Sequence, residues 1–231
     1  MSLKILFKYT TRSRRSNFLR GIDSIIDNLA DKENYHIYTT FDVDDDKMRP
    51  LPEIKGNHTY IAGTSKSKIH AINRDMDLIN ANYDWQILVN FSDDMTFIKK
   101  GFDNDIREAV INNSNSLDCC YHFPDQFQGR NCMTMSIVGR EYYDNQGFIY
   151  DNRFKSLWCD VVEQEKAQIS NKYIFVDKNI FVHLHPSLGL AQYDEQAKHT
   201  ESWELRTQDY NTYLEVKKEY DKNNILPIRS I

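Results

Sequence analysis

Apolar runs alternate with amphipathic stripes along the first part of the chain, and this alternation restricts the fold more than any other feature. Residues 3–9 (LKILFKY) predict a buried strand, and the polar loop TTRSRR follows at once. Phe18, Leu19, Ile22, Ile25, Ile26 and Leu29 then recur at helical spacing, which predicts a covering helix over about 16–30. The strand pattern resumes at 36–41 (HIYTTF), and again near 59–62 after a proline-containing loop. Ser65 is placed to cap a helix whose apolar stripe is Ile69, Ile72, Met76 and Ile79. A further apolar run over 85–91 ends in Ser92, Asp93 and Asp94. Repetition of strand, helix, strand predicts an α/β fold: a Rossmann-like, mostly parallel sheet flanked by helices, with ligands gathering beyond the carboxyl ends of the strands.

The remainder is less regular. A helix at about 102–112, strands near 117–122 and 133–138, a helix over about 160–170, a strand within 173–184 and a polar C-terminal helix over about 195–220 are expected. No internal repeat and no long linker divides the 231 residues, so a single domain is expected. No apolar run reaches the ~18 residues of a membrane span, and residues 1–8 lack the pattern of a secretory signal, so a soluble cytoplasmic protein is expected. With 29 basic and 34 acidic residues the net charge is −5, which gives no global field for gripping a phosphate backbone and argues against a nucleic-acid partner. Cys119, Cys120, Cys132 and Cys159 show no metal-type spacing and read as reduced structural thiols.

Adjacent carboxylates repel, so Asp93 and Asp94 at a strand end are most easily tolerated beside a divalent cation or a basic partner. Carboxylate oxygens suit Mg2+ or Mn2+, ions that usually also bind substrate phosphates. In FVHLHP (181–186) the histidines are two apart in an extended segment, so His183 and His185 share a side and either is a candidate further ligand. Arg12, Arg14 and Arg15 follow the first strand, and Lys66 and Lys68 open the helix after the third, on the same expected rim as Asp42, Asp44, Asp93 and Asp94.

Six pieces in order, FKYTTRSR (7–14), FDVDDDKM (41–48), GTSKSKIHAINRDM (63–76), VNFSDDM (89–95), SIVGREYYDNQGFIYDNRFKSLWCD (136–160) and FVHLHP, span most of the chain. Together they resemble the small stand-alone family 2 glycosyltransferases of the GT-A fold. The resemblance implies a nucleotide-sugar donor, a UDP-sugar foremost, whose diphosphate rests on Mn2+ or Mg2+, and an acceptor that is a carbohydrate or another hydroxyl compound. Asp94 matches the metal-holding acid of the family's DxD-type motif and Asp93 the position facing sugar or ribose, while Ser92 departs from its first acid. A downstream histidine, His183 or His185, is implied as a further metal ligand. Thr10, Thr11 and Arg12 match the nucleoside pocket, Asp42 a base or ribose contact with Asp44 beside it, and Lys68 and Asn73 positions next to the nucleotide. Asp160 matches the acceptor-side base of an inverting transfer, Glu163 is the reserve base, and Trp158 is the aromatic expected to touch the acceptor. On this resemblance residues 1–95 form a nucleotide-binding half, 96–190 an acceptor half and 191–231 a helical tail.

Two other readings compete. A nucleotidyltransferase-like enzyme on a related sheet keeps the metal and phosphate residues but has no use for Asp160. A catalytically silent binding module is permitted by Ser92.

Overall fold

A computed structural model describes residues 2–223, so the end of the expected tail, 224–231, lies outside the described residues. In chain order the elements are β1 (Ile5–Thr10), α1 (Arg15–Asn28), β2 (Tyr35–Asp42), β3 (His58–Gly63), α2 (Lys68–Asn73), α3 (Met76–Asn82), β4 (Ile87–Ser92), β5 (Met95–Phe97) and α4 (Phe102–Asn112). There follow β6 (Cys120–His122), β7 (Ile137–Gly139), α5 (Arg140–Gln146), α6 (Cys159–Ile169), β8 (Tyr173–Phe175), β9 (Phe181–His183), α7 (Glu195–Thr200) and α8 (Trp203–Asn223). Seven strands make one sheet in the order β3-β2-β1-β4-β7-β6-β8, and β5 pairs with β9 in a separate two-stranded ribbon.

The first four strands run parallel, as the alternation predicts, in a register that levels their carboxyl ends. Thr10 lies opposite both Thr40 and Ser92, and Asp42 lies opposite Gly63. Beyond β4 the sheet continues with antiparallel β7 and β6 and then β8, parallel to β6. The period of two along β1 divides the core. Ile5, Phe7 and Tyr9 face α1 and α4, packing with Phe18, Ile22, Ile25, Phe102 and Ile106, whereas Leu6 joins Leu88, Ile69, Ile79 and Val162 on the other face. Burial of each such large apolar side chain stabilises the fold by about 1.5–3 kcal/mol. Among the described residues no helix is long and apolar enough to cross a membrane.

The expected helix from Ser65 is two helices. Ser67, not Ser65, caps α2 by accepting from the His70 N–H, and the chain breaks at Asp75, whose φ of 74° is left-handed. Asp75 is held there by Thr40 and Arg74, which both donate to its Oδ2 (2.9 and 3.1 Å). The strand expected within 173–184 is likewise two, β8 and β9, which belong to different sheets and are separated by the polar turn around Asp177–Lys178–Asn179. The polar C-terminal helix also divides, into α7 and α8.

Lys8 occupies a β1 position where the alternation calls for an apolar side chain, and it is fully buried. Its Nζ donates to Thr40 Oγ1 and to the Ala71 carbonyl. Burial, only partly offset by the charge of Asp75, pushes its pKa down to about 7. In the unfolded chain the group titrates near 10.4, so between those values the unfolded state binds more protons and stability rises with pH. Urea unfolding of the wild type is therefore expected to show a slope approaching about 1.4 kcal/mol per pH unit between pH 7.5 and 9.5 from this group. Lys8→Met removes that slope; an identical pH dependence in both proteins contradicts the assignment.

One contact sets the position of α6. Asp209, fully buried on α8, accepts the N–H groups of Lys155 (2.9 Å), Ser156 and Leu157 (both 2.7 Å), the turn leading into α6. Asp209→Ala leaves three N–H groups without acceptors and is expected to cost about 3 kcal/mol or more, at roughly 1–3 kcal/mol per orphaned buried group. That corresponds to a melting temperature lower by roughly 10 °C for a chain of this size.

Candidate active site

A cleft of about 900 Å³ lies over the carboxyl ends of β1 to β4. Ligand pockets of small molecules and cofactors fall at about 300–1,000 Å³. Its floor and walls include Thr10, Thr11, Arg12, Asp42, Asp44, Lys68, Asp93, Asp94 and His185, so most residues expected at the nucleotide site meet in one place. They meet because parallel strands in level register release their following loops on one edge.

Arg12 organises one end. It donates from both Nη atoms to Asp44 (2.9 and 3.0 Å) and from Nη1 to Asp42 (2.5 Å). The second oxygen of Asp42 accepts from Arg74 (3.2 Å), so this carboxylate is fixed between two guanidinium groups. Arg14 organises the middle, donating to Asp93 Oδ1 (3.0 Å) and, through Nε and Nη2, to both oxygens of Asp194 (2.7 Å each). Asp194 also caps α7 by accepting the Ala197 N–H (2.8 Å), so Arg14 ties the C-terminal segment over the cleft to the end of β4.

The two adjacent carboxylates have separate partners. Asp93 accepts from Thr11 Oγ1 (3.1 Å) and from Arg14, and burial followed by the charge of Asp94 pushes its pKa up. Asp94 accepts from Ser92 Oγ, and its Oδ2 lies 3.4 Å from His183 Nε2. Burial acts against ionisation of Asp94, but the bond and charge of His183 and the charge of Lys68 outweigh it and hold the carboxyl well below its usual range. Among the described residues Lys68 has no hydrogen-bond or ion-pair partner, which leaves its ammonium available to a ligand anion.

His183 is packed between two acids, with Nδ1 3.4 Å from Asp125 Oδ2 on its far side. Burial alone lowers a histidine pKa, yet Asp125 and Asp94 together hold this one up at about 9. Nδ1 is buried and in ion-pair range but without a hydrogen bond. The neighbouring His185, which lines the cleft, has other partners: its ring stacks on Phe127 (centroids 5.2 Å, planes 10° apart) and its Nε2 lies 3.7 Å from Glu201.

A carboxylate oxygen and an imidazole nitrogen that converge at 3.4 Å form a donor pair suited to Mn2+ or Mg2+, whose remaining positions are usually filled by phosphate oxygens and water. Among the described residues no group of three or more histidine, cysteine or acidic side chains is arranged to hold a metal. The fit is therefore that of a pair completed by a ligand, not of a closed protein cage.

The sequence matches no protein-family profile and no curated protein. Solved structures do match. S. aureus TarS 1–349 in complex with UDP-GlcNAc has a TM-score of 0.59 at 12% identity, over 78% of this chain and 58% of that one. The mannosyltransferase PcManGT from Pyrobaculum calidifontis, in complex with GDP-Man and Mn2+, has a TM-score of 0.59 at 11% identity, over 80% of this chain and 58% of that one. The chain has their GT-A-like fold. It spans less than two thirds of the length of either neighbour.

Within this GT-A-like fold four of the expected site residues are not among those lining the cleft. Asn73 does not line the cleft: its Oδ1 accepts the N–H groups of Ile149 and Tyr150 (2.9 and 3.1 Å), and its Nδ2 donates to Asn152 Oδ1 (2.7 Å), so it fastens the loop before α6. Glu163 is buried, with Gln146 donating to it (3.1 Å), and is not among the residues lining the cleft. Trp158 packs against α8, with its ring 5.2 Å from that of Tyr213 and 5.0 Å from that of Tyr210, which anchors the helix. Asp160, half-buried in the first turn of α6, accepts from Cys132 Sγ through Oδ2 (3.3 Å) beside the cleft. Arg74, Asp125 and Asp194 were not singled out from sequence, because each lies in or beside a turn with no periodicity to mark it.

Proposed function

We propose that the protein is a metal-dependent glycosyltransferase, moving a sugar from a nucleotide-sugar donor, a UDP-sugar foremost, to a hydroxyl of a carbohydrate or other acceptor, with inversion. The observation that carries this reading is the convergence of Asp94 and His183 at 3.4 Å beside Lys68, at the edge of a cleft fitted to a small ligand. Structures of the same fold bind UDP-GlcNAc, or GDP-Man with Mn2+, which supports the donor class. Residues 1–95 on this reading form the donor half of a single domain, 96–190 the acceptor half and 191–231 its tail.

The roles follow from chemistry. Thr10, Thr11 and Arg12, with the fixed carboxylates of Asp42 and Asp44, hold the nucleoside; Asp93, oriented by Thr11 and Arg14, faces the sugar. Asp94 and His183 would hold Mn2+ or Mg2+, and such an ion would supply positive charge to the leaving diphosphate. Lys68 adds a second cation to the same leaving group. As the acceptor oxygen forms its bond to the anomeric carbon, Asp160 takes the hydroxyl proton, acting as general base.

The test is a thermal-shift series of UDP, GDP, ADP and CDP and their sugar conjugates, each with Mn2+, Mg2+ or chelator. A ligand at 100 times its Kd that binds only the folded state stabilises it by about 2.7 kcal/mol. A shift that requires the metal and favours one base supports the reading and names the donor. Absence of any shift with every nucleotide in both metals rejects it.

A further inference from the structure

Asp125 stands outside every role assigned so far, yet it is among the most firmly fixed side chains in the molecule. Its side chain is fully buried. Oδ1 accepts the N–H groups of Phe127 (3.0 Å), Gln128 and Gly129 (3.3 Å), and Oδ2 accepts from Thr134 Oγ1 (2.9 Å). Four donors leave this carboxylate no freedom to rotate, and the oxygen that Thr134 holds is the one facing His183 Nδ1 at 3.4 Å. The same turn carries Phe127, whose ring lies flat on His185.

We propose that Asp125 is a positioning residue of the cation site, fixing both the ring orientation and the tautomer of His183. This rests on the reading of Asp94 and His183 as cation ligands. A neutral imidazole has one N–H and one lone pair, and the proton resides on the nitrogen that faces the better acceptor. When a cation occupies Asp94, Asp125, locked on the Nδ1 side, is the carboxylate left to hold the ring proton, and the Nε2 lone pair is directed to the side of Asp94. An imidazole whose far nitrogen is held by a carboxylate is a better metal ligand than one left to rotate. The turn 125–129, joined to Thr134, is thus a template that presents a histidine 89 residues removed in sequence from Asp94 as its partner, in the way a ligand is held by its supporting shell.

The test is calorimetric titration of Mn2+ into the full chain saturated with UDP and, separately, with GDP, for wild type, Asp125→Asn, Thr134→Val and His183→Ala. Asp125→Asn keeps an oxygen for the three N–H groups of the turn, but places an NH2 donor opposite Nδ1 and so favours the tautomer with the proton on Nε2. Its Mn2+ affinity is expected to fall about 10- to 100-fold. Thr134→Val, which frees Oδ2 without touching the turn, is expected to lower affinity by a smaller factor in the same direction. Long-range proton–nitrogen NMR spectra with Mg2+ and nucleotide are expected to show the His183 proton on Nδ1 in wild type and a shift of that proton in Asp125→Asn. A Mn2+ affinity in folded Asp125→Asn and Thr134→Val within twofold of wild type overturns this inference and leaves the glycosyltransferase reading standing. Failure of the wild type to bind Mn2+ with either nucleotide overturns both.

Discussion

Asp94→Ala is expected to yield a folded protein in which Mn2+ no longer raises the melting temperature in the presence of any nucleoside diphosphate. Asp94 supplies one of the two converging donors, and removing it leaves His183 with Asp125 alone. Turnover is expected to fall by on the order of 10³ or more, equivalent to the several kcal/mol of charge stabilisation lost from the leaving diphosphate. The fold survives because the change also relieves the repulsion that pushes the Asp93 carboxyl up. Nucleotide binding that remains Mn2+-dependent in Asp94→Ala would show that the metal, if used, is held elsewhere.

Asp160→Asn is expected to behave in the opposite way, binding metal and nucleotide as the wild type does while losing turnover. A positioned general base contributes about 10²–10⁴ in rate, and an amide cannot take the acceptor proton. The amide oxygen still accepts from Cys132 Sγ, so the local structure is preserved. Because Asp160 is not among the residues lining the cleft, the variant also tests whether α6 brings this carboxylate to the acceptor. Turnover in Asp160→Asn within tenfold of wild type removes Asp160 from the mechanism. Comparing the two variants separates the donor half of the reaction from the acceptor half.

The parallel part of the sheet was readable because β1, β2 and β4 are apolar runs bounded by charge, and because α1 and α4 carry unbroken stripes. The breaks were not. Asp75 interrupts an apolar stripe that continues in phase on both sides of it, and only its bonds to Thr40 and Arg74, made across the fold, explain the left-handed turn. Strands β5 and β9 are three residues each, too short for alternation to mark. At the site, Arg12, Asp42, Lys68, Asp93 and Asp94 were legible because strand ends in a parallel sheet converge. Asn73 and Trp158 fasten neighbouring segments, and a polar or aromatic side chain near a cleft looks the same in sequence whether it does that or meets a ligand. Asp125, Asp194 and Asp209 act on backbone or on partners far along the chain, and neither local spacing nor composition carries that information.

The ribbon of β5 and β9 has a consequence for how the protein matures. Met95 lies opposite His183, and the Leu184 N–H donates to the Asp94 carbonyl (2.7 Å), so it is this antiparallel pairing that brings the histidine to the acid. A slip of one residue would turn His183 to the opposite face and leave the large sheet untouched. A chain emerging from the ribosome can thus complete β1 to β4 and display Asp94 long before the histidine exists, and the closing of a loop of this length is among the slower events of folding. On the proposed reading, capacity to bind a cation is acquired after the sheet has formed, as a late and separately losable step.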